Sequence, residues 1–301
     1  GNGVHREDLL TEMLRRDIPE MTSLIVNSNR ERTNVILGRK NRTVWGQDAI
    51  TDTLCGLQFR ISPHAFYQVN RDQAQRLYQT AAQYASLTQG ETLLDLYCGT
   101  GTIGLSMADR AKSLIGVEIV DAAVQDAREN AARFGVSEKM QFFLSDGLQG
   151  IPPDAADTII MAGMGGDLMV RILEAAPWVC DDRYTLILQP QSAGQALRQY
   201  LAEHSFAIER EALARDGHFF YTVLRAKKGH MPPLSPGQQY ASPQLLREGG
   251  PLLGPYLARI ETALAGTVLG LQRADEPEKL RYYETALAEI REMRKQHDDC
   301  S

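Results

Sequence analysis

The stretch Leu93-Leu-Asp-Leu-Tyr-Cys-Gly-Thr-Gly-Thr-Ile-Gly104 decides the fold. Leu93, Leu94 and Leu96 around Asp95 make an apolar run of strand length, and the glycines after it mark a turn. Gly99 and Gly101 let the backbone approach a ligand with no Cβ in the way. From Gly101 onward the spacing is helical, so the segment reads as strand, glycine turn, helix. Gly99-x-Gly101-x-x-Gly104 also satisfies a dinucleotide fingerprint, a weak signal by itself, and a P-loop is excluded because no Lys-Ser or Lys-Thr follows.

Outward from this stretch the two periods alternate. Residues 92–97, 113–118, 140–145, 156–162 and 184–188 read as strands, and 101–110, 121–134, 165–175 and 194–204 as the helices between them. That alternation predicts an α/β fold with a mostly parallel, Rossmann-like sheet, closed by a pair of strands at 207–214 and 218–226. Upstream, Leu9, Leu10, Met13 and Leu14 predict a short amphipathic helix within residues 1–20. Runs at 23–27, 33–37, 43–47 and 57–61 make a small N-terminal β-rich segment, and 71–84 returns to helical spacing. Residues 227–250, rich in Pro, Gly, Ser and Gln, read as a linker. Beyond it Leu253, Leu257, Ile260, Leu264, Val268 and Leu271, then Leu280, Tyr283, Leu287 and Ile290, follow near-heptad spacing on either side of Asp275-Glu-Pro277. This predicts a helical, coiled-coil hairpin, with Pro277 in the first turn of its second helix. The same helices offer a surface for a homodimer.

Composition describes an ordinary globular protein, with 43% hydrophobic and 23% charged residues. The absence of a charged-then-apolar leader and of any membrane-length apolar run makes the cytoplasm the expected location, with no membrane partner. Cys55, Cys98, Cys180 and Cys300 are spread too widely for a zinc or iron–sulfur ligand set, so no metal is expected. A net charge of −6 does not advertise nucleic-acid binding, but local balance matters more than the sum. Residues 29–42 hold five basic side chains against Glu31, and read equally well as a solvated hairpin or as an RNA-facing patch.

Three acids separate the cofactor alternatives. Asp95 lies just before the glycine turn, where a carboxylate can orient the loop or meet an ammonium group. Glu118 ends the second strand, placed to accept from both hydroxyls of a ribose, a role that NAD proteins share. Asp146 follows the third strand in Ser145-Asp-Gly147, where its oxygen can take an adenine amino group. Together they fit S-adenosyl-L-methionine better than a dinucleotide. Taken singly, each acid also reads as a helix cap or loop carboxylate.

Two family resemblances meet in the chain. Residues from about 20 to 136 resemble the RNA uracil-5-methyltransferase family, through Ser62-Pro-His-Ala-Phe-Tyr-Gln-Val-Asn70, the 93–105 stretch and Gly116-Val-Glu-Ile-Val-Asp-Ala-Ala-Val-Gln-Asp-Ala-Arg-Glu-Asn130. The resemblance implies that Gln68 helps to hold the cofactor. Residues from about 140 to 301 resemble the tRNA adenine-22 N1-methyltransferase family, through Ser145-Asp-Gly-Leu148, Ile160-Met-Ala-Gly-Met-Gly-Gly166, Leu186-Ile-Leu-Gln-Pro190 and the helical tail. The cofactor-binding set expected from these readings is Gln68, Asp95, Tyr97, Gly99, Thr100, Gly101, Glu118, Asp146, Gly163 and Met164. The corresponding division is an N-terminal β-rich segment with its lead-in helix over 1–84, a methyltransferase domain over 85–228, and a linker with the coiled-coil hairpin over 229–301.

The two resemblances imply different chemistries. Uracil C5 is a poor nucleophile, and the first family activates it by adding a Cys thiolate to the ring. Its Ser-Cys-Asn-Pro and Asp-Pro-Pro-Arg motifs are missing here, and Cys180 stands in the unrelated context Trp178-Val-Cys-Asp-Asp182. Adenine N1 carries an in-plane lone pair and needs positioning more than activation. The absence of Asn-Pro-Pro-Tyr argues against methylation of an exocyclic amine. Where the adenine family has Asp-His in its first glycine loop, this chain has Gly101-Thr102, a departure that bears on activity rather than on cofactor binding. The expectation is an S-adenosylmethionine-dependent RNA methyltransferase acting on N1 of an adenine, in tRNA rather than rRNA, with no catalytic residue assigned. A uracil-5-methyltransferase of 23S rRNA or tRNA is the second reading. A catalytically silent protein that binds the cofactor and RNA is the third.

Overall fold

The computed structural model describes residues 4–29, 37–38, 40–63 and 71–300. In chain order, helix α1 (Glu7–Asp17) leads into strands β1 (Ser23–Ser28), β2 (Lys40–Gly46), β3 (Ile50–Leu54) and β4 (Leu57–Ile61), and then α2 (Arg71–Ala85). The alternating part follows as β5 (Thr92–Leu96), α3 (Thr102–Ser106), β6 (Ser113–Glu118), α4 (Asp121–Arg133), β7 (Met140–Leu144), β8 (Thr158–Gly165), α5 (Gly166–Ala175), β9 (Thr185–Ser192) and α6 (Gly194–Glu203). Strands β10 (Phe206–Asp216) and β11 (Phe219–Lys228) precede α7 (Pro236–Tyr240), α8 (Pro243–Glu248), α9 (Leu253–Leu271) and α10 (Pro277–Cys300).

The main sheet has seven strands in the order β10-β11-β9-β8-β5-β6-β7. Strands β9, β8, β5, β6 and β7 run parallel, while β10 and β11 are antiparallel additions at one edge. The Rossmann-like sheet, the N-terminal β-rich segment and the C-terminal helical hairpin expected from the sequence are all present. The central strand explains its own composition: Leu93, Leu94 and Leu96 are buried because both faces of a parallel sheet are covered. One face packs on α5 and α6, through Met169, Leu173, Leu197 and Leu201. The other packs on α2, whose Ala74, Leu77, Tyr78 and Ala81 recur at helical spacing. Among the described residues no helix is long and apolar enough to cross a membrane.

Several local expectations need correction. Strand β3 was not anticipated; Cys55 and Gly56, both at positive φ, turn the chain from β3 into β4 as a tight hairpin. The run at 33–37 lies, apart from Leu37, outside the described residues, as does most of the basic stretch at 29–42. Helix α3 is shorter than 101–110, because after Ser106 the backbone tightens to i→i−3 bonds such as Met107 N–H to the Gly104 carbonyl, 3.0 Å. Strand β8 runs on to Gly165, past the expected end at Ala162. Residues 227–250 contain two capped helices where a linker was expected. Ser235 and Gln238 form a capping box at α7, and the Ser242 hydroxyl accepts the Leu245 N–H, 3.0 Å, at the start of α8.

A buried polar network ties this segment to the sheet. Arg198 of α6 is 2% exposed and donates to Glu211 of β10 (Nε to Oε1, 3.0 Å) and to the Gln239 carbonyl, 3.0 Å. The Ser242 hydroxyl donates to the other Glu211 oxygen. Every charged atom therefore has partners, the condition under which a buried ion pair is tolerated. In α10, Arg291 and Arg294 reach across the hairpin to Glu261 of α9, at 3.0 and 2.8 Å. Replacing Glu211 with Gln should lower the unfolding free energy by about 3–5 kcal/mol, because it leaves the Arg198 charge buried and unpaired. Urea unfolding of the two proteins measures this, and an unchanged midpoint would show that the network carries no such role.

Candidate functional site

The site forms where β5, β6, β8 and β9 end. Tyr97, Gly99 and Gly101 have φ of 56°, 56° and 78°, so the chain leaves β5 through a left-handed turn. Two carboxylates hold that turn from below. Asp95, 2% exposed, accepts the Gly104 N–H at 2.9 Å and so caps the first turn of α3 from inside the sheet. Glu118, 6% exposed, accepts from Gly99 (2.9 Å) through one oxygen and from Ile119 (2.9 Å) and Val120 (3.0 Å) through the other. A carboxylate offers about four acceptor positions, so Glu118 keeps room for one further donor. Asn130 of α4 donates to the Thr100 carbonyl, 3.2 Å, and Tyr78 of α2 meets the Thr102 hydroxyl, 3.1 Å.

The opposite wall comes from the end of β8. The β8–β9 register shifts between Ala162 and Met164, leaving Gly163 as a bulge at φ 78°. Its N–H donates to Gln189 Oε1 of β9, 2.9 Å. A Cβ on Gly166 would stand 2.4 Å from the Ala193 carbonyl oxygen, so the last glycine of the 160–166 stretch is required by close approach of the neighbouring turn. Between the walls lies a cavity of about 260 Å³, lined by Tyr97, Cys98, Gly99, Glu118, Gly163, Met164 and Gln189 and by apolar side chains including Ile103, Leu168 and Val223.

Of the expected cofactor residues, Tyr97, Gly99, Glu118, Gly163 and Met164 line this cavity together. Asp95, Thr100 and Gly101 are buried in or beneath the loop and do not line it. Asp146 lines an adjoining pocket of about 210 Å³ and accepts the Tyr97 hydroxyl, which borders both pockets. Gln68 lies outside the described residues. The sequence reading gave no role to Gln189, Tyr78 or Val223. Gln189 was visible as part of Leu-Gln-Pro, but only the fold places it against Gly163.

Burial without a counter-charge, offset in part by the Gly104 N–H and reinforced by nearby Glu118, pushes Asp95 up to about 7. For Cys98, burial drives the thiol well above its ordinary value, and Asp95 and Glu118 add to the effect.

A family model described as a methyltransferase domain matches residues 74–224, half of the chain. The chain belongs to the methyltransferase domain family. An uncharacterized RNA methyltransferase of Listeria monocytogenes is 48% identical over 126 residues, covering 42% of this chain and 27% of that protein. The curated relatives it matches are longer, and the matched part is 25% to 34% of their length. Among solved structures, the Streptococcus pneumoniae protein Sp1610, provisionally assigned as a tRNA (m1A22) methyltransferase, is 27% identical with a TM-score of 0.63, covering 72% of this methyltransferase and 97% of that chain. Sp1610 has also been solved in complex with S-adenosyl-L-methionine. The Pyrococcus abyssi tRNA (uracil-54, C5)-methyltransferase shares the fold, with 21% identity, a TM-score of 0.54, and coverage of 70% of this chain and 52% of that one. Proteins of both families resembled in the sequence thus recur among the solved structures that share this fold.

The Asp95 position has a consequence for stability. The folded protein keeps a proton on Asp95 that the unfolded chain releases near pH 3.8, so the native state binds more protons between about pH 4 and about pH 7. The Asp95 contribution should therefore weaken as pH rises through that window and level off above it. Asp95→Asn should remove the slope, and urea midpoints of both proteins at about pH 5 and about pH 8 test it. Parallel curves would place the Asp95 transition elsewhere.

Proposed function

We propose that this methyltransferase uses S-adenosyl-L-methionine to methylate N1 of an adenine in tRNA. The observation that carries the cofactor assignment is the cavity between the Gly99 turn and the Gly163 bulge, with Glu118 at its floor. Glu118 retains acceptor capacity for a ribose hydroxyl, and Ile103, Met164 and Leu168 offer apolar walls. The Thr100 hydroxyl is buried without a partner, an unmet polar group inside the same loop. Adenosylmethionine supplies a sulfonium-bound methyl group as electrophile. The protein's part is to hold the two reactants in line and exclude water, through Tyr97, Met164 and Leu168. Because N1 attacks with a lone pair already in the ring plane, no general base is required before the methyl moves.

The cysteines favour this reading over uracil C5. Among the described residues Cys98 alone of the cysteines lines the cavity, and its burial disfavours the thiolate. Cys180 precedes β9 and so stands at the opposite end of the sheet, its Sγ 3.5 Å from the His204 carbonyl oxygen. The division of labour we propose gives cofactor binding to residues 85–228 and leaves 1–84 and 229–301 to the RNA and to support of that unit. A cytoplasmic location suits a tRNA substrate. A homodimer would use the outer faces of α9 and α10, where Leu269 is exposed, because their apolar seam closes within one chain.

Glu118→Ala should weaken adenosylmethionine binding by about 1.5–3 kcal/mol, the worth of charge-assisted hydrogen bonds, as read by calorimetry. Undiminished affinity would remove Glu118 from the site. Tritiated methyl transfer to unmodified tRNA, followed by nucleoside analysis, should yield 1-methyladenosine. Label in 5-methyluridine would favour the second family instead, and no label in any RNA would favour a silent binding protein. RNA containing 5-fluorouridine should leave no denaturant-resistant adduct.

A further inference from the structure

The tip of the β10–β11 hairpin lies outside the cavity lining. Strand β11 is antiparallel to β9, so its first residues stand at the edge of the sheet where the cavity opens. Alternate residues of a strand share a face, which puts Val223, Tyr221 and Phe219 in one row. Val223 is buried and lines the cavity, Tyr221 is half-buried, and Phe219 is 60% exposed. At about 3.3 Å per residue the row runs roughly 13 Å, from the cavity wall to the hairpin tip.

The exposure of Phe219 is not forced by the fold. Its neighbour Phe220 packs edge-on against Tyr256 of α9, ring centroids 5.8 Å apart, and anchors the hairpin to the C-terminal helices. One turn beyond Tyr256, the Arg259 guanidinium lies 5.9 Å from the centre of the Phe219 ring. Arg215, on the opposite strand, lies 5.6 Å from the Phe220 ring. Among the described residues neither guanidinium has a carboxylate partner, whereas Arg291 and Arg294 on the same helical hairpin are both engaged by Glu261. In a chain of net charge −6, two guanidiniums outside any such ion pair stand at the hairpin tip, Arg259 against the solvent-exposed Phe219 ring and Arg215 against its neighbour Phe220, and make a local cationic, aromatic surface.

We propose that Phe219, Arg215 and Arg259 form a clasp for single-stranded RNA beside the methyl-transfer cavity. Phe219 stacks on a nucleotide adjoining the target base, and the two guanidiniums meet its flanking phosphates. The inference rests on the reading of this chain as an RNA methyltransferase. Stacking on an aromatic side chain tolerates any base, so the clasp grips strand rather than sequence. Tyr221, midway along the row, lies where the target base would pass toward Val223.

The test is binding of the full chain to an unmodified tRNA transcript, by fluorescence anisotropy at two salt concentrations. Phe219→Ala should weaken binding roughly tenfold, the worth of one stacked base, while Phe219→Trp retains it and Phe219→Leu does not. Arg215→Ala and Arg259→Ala should each flatten the salt dependence by about one ion released. Calorimetric affinity for adenosylmethionine should match the wild type in every variant, because none of these residues lines the cavity. Tight tRNA binding by wild type and Phe219→Ala alike would overturn the clasp and leave the RNA methyltransferase reading standing. So would equal binding by Phe219→Leu, which would reduce the contact to a non-specific apolar one. Absence of both tRNA binding and methyl transfer in the wild type would overturn that reading and the clasp together.

Discussion

The hydrogen bond from the Gly104 N–H to Asp95 joins the central strand to the helix that follows it, and the site takes its shape from that bond. Strand β5 has neighbours on both sides and cover on both faces, so a carboxylate within it has no route to water. It can be satisfied only by backbone that folds back over the strand end. Gly104 permits this approach: a Cβ there would stand 3.4 Å from Asp95 Oδ2 and 3.3 Å from Met140 Cε. With the loop drawn down at Gly104, its leading edge comes within reach of Glu118 on the next strand. The two carboxylates thus hold one loop at two points, and the cavity is the space left above them. The cost of burying Asp95 is expressed in its reluctance to ionise.

The second constraint lies on the other flank. A sheet that ended at β9 would leave that strand as an edge; β11 and β10 cover it and carry the chain back to the cavity side. Arg198 and Glu211 then fix α6, β10 and the start of α8 to one another, with Gln239 completing the fork. Helix α7 is held in turn by α10, where Glu289 accepts from the Ser235 hydroxyl (2.6 Å) and the Gly237 N–H (2.7 Å). The C-terminal helices are therefore seated on the sheet through polar contacts as well as apolar ones. That seating places α9, and Arg259 with it, against the β10–β11 turn.

Much of this was legible in the residues. Period-two and helical spacing located every strand of the main sheet, because buried parallel strands are nearly all aliphatic and the glycine turns punctuate them. The short helices α7 and α8 were hidden by composition. Ser235-Pro-Gly-Gln and Ser242-Pro are helix starts, but a Pro- and Gly-rich stretch read as a whole looks like a linker. At the site, Asp95, Glu118 and the Gly99–Gly101 turn were legible from their places at strand ends, whereas Gly163 and Met164 entered only through a family resemblance. Gln189, Tyr78 and Val223 were not legible, since they reach the cavity from three separate elements and no local pattern records the meeting. Asp146 illustrates the converse: its position after β7 was evident, yet its bond to Tyr97, which sets it in the adjoining pocket, depends on two side chains far apart in sequence.

The strand order bears on how the two resembled halves depend on each other. Strands β5 and β6 come from the first half, while β7 to β11 come from the second. In space β8 pairs with β5 and β7 pairs with β6, so the later strands flank the earlier ones on both sides. Neither half can complete a sheet alone: the first would expose two bare edges, and the second would fall into two pieces. A break in the turn near Gly135 would cut the chain without separating the parts. The join between the two resembled stretches thus lies inside one sheet, whose strands interleave across it.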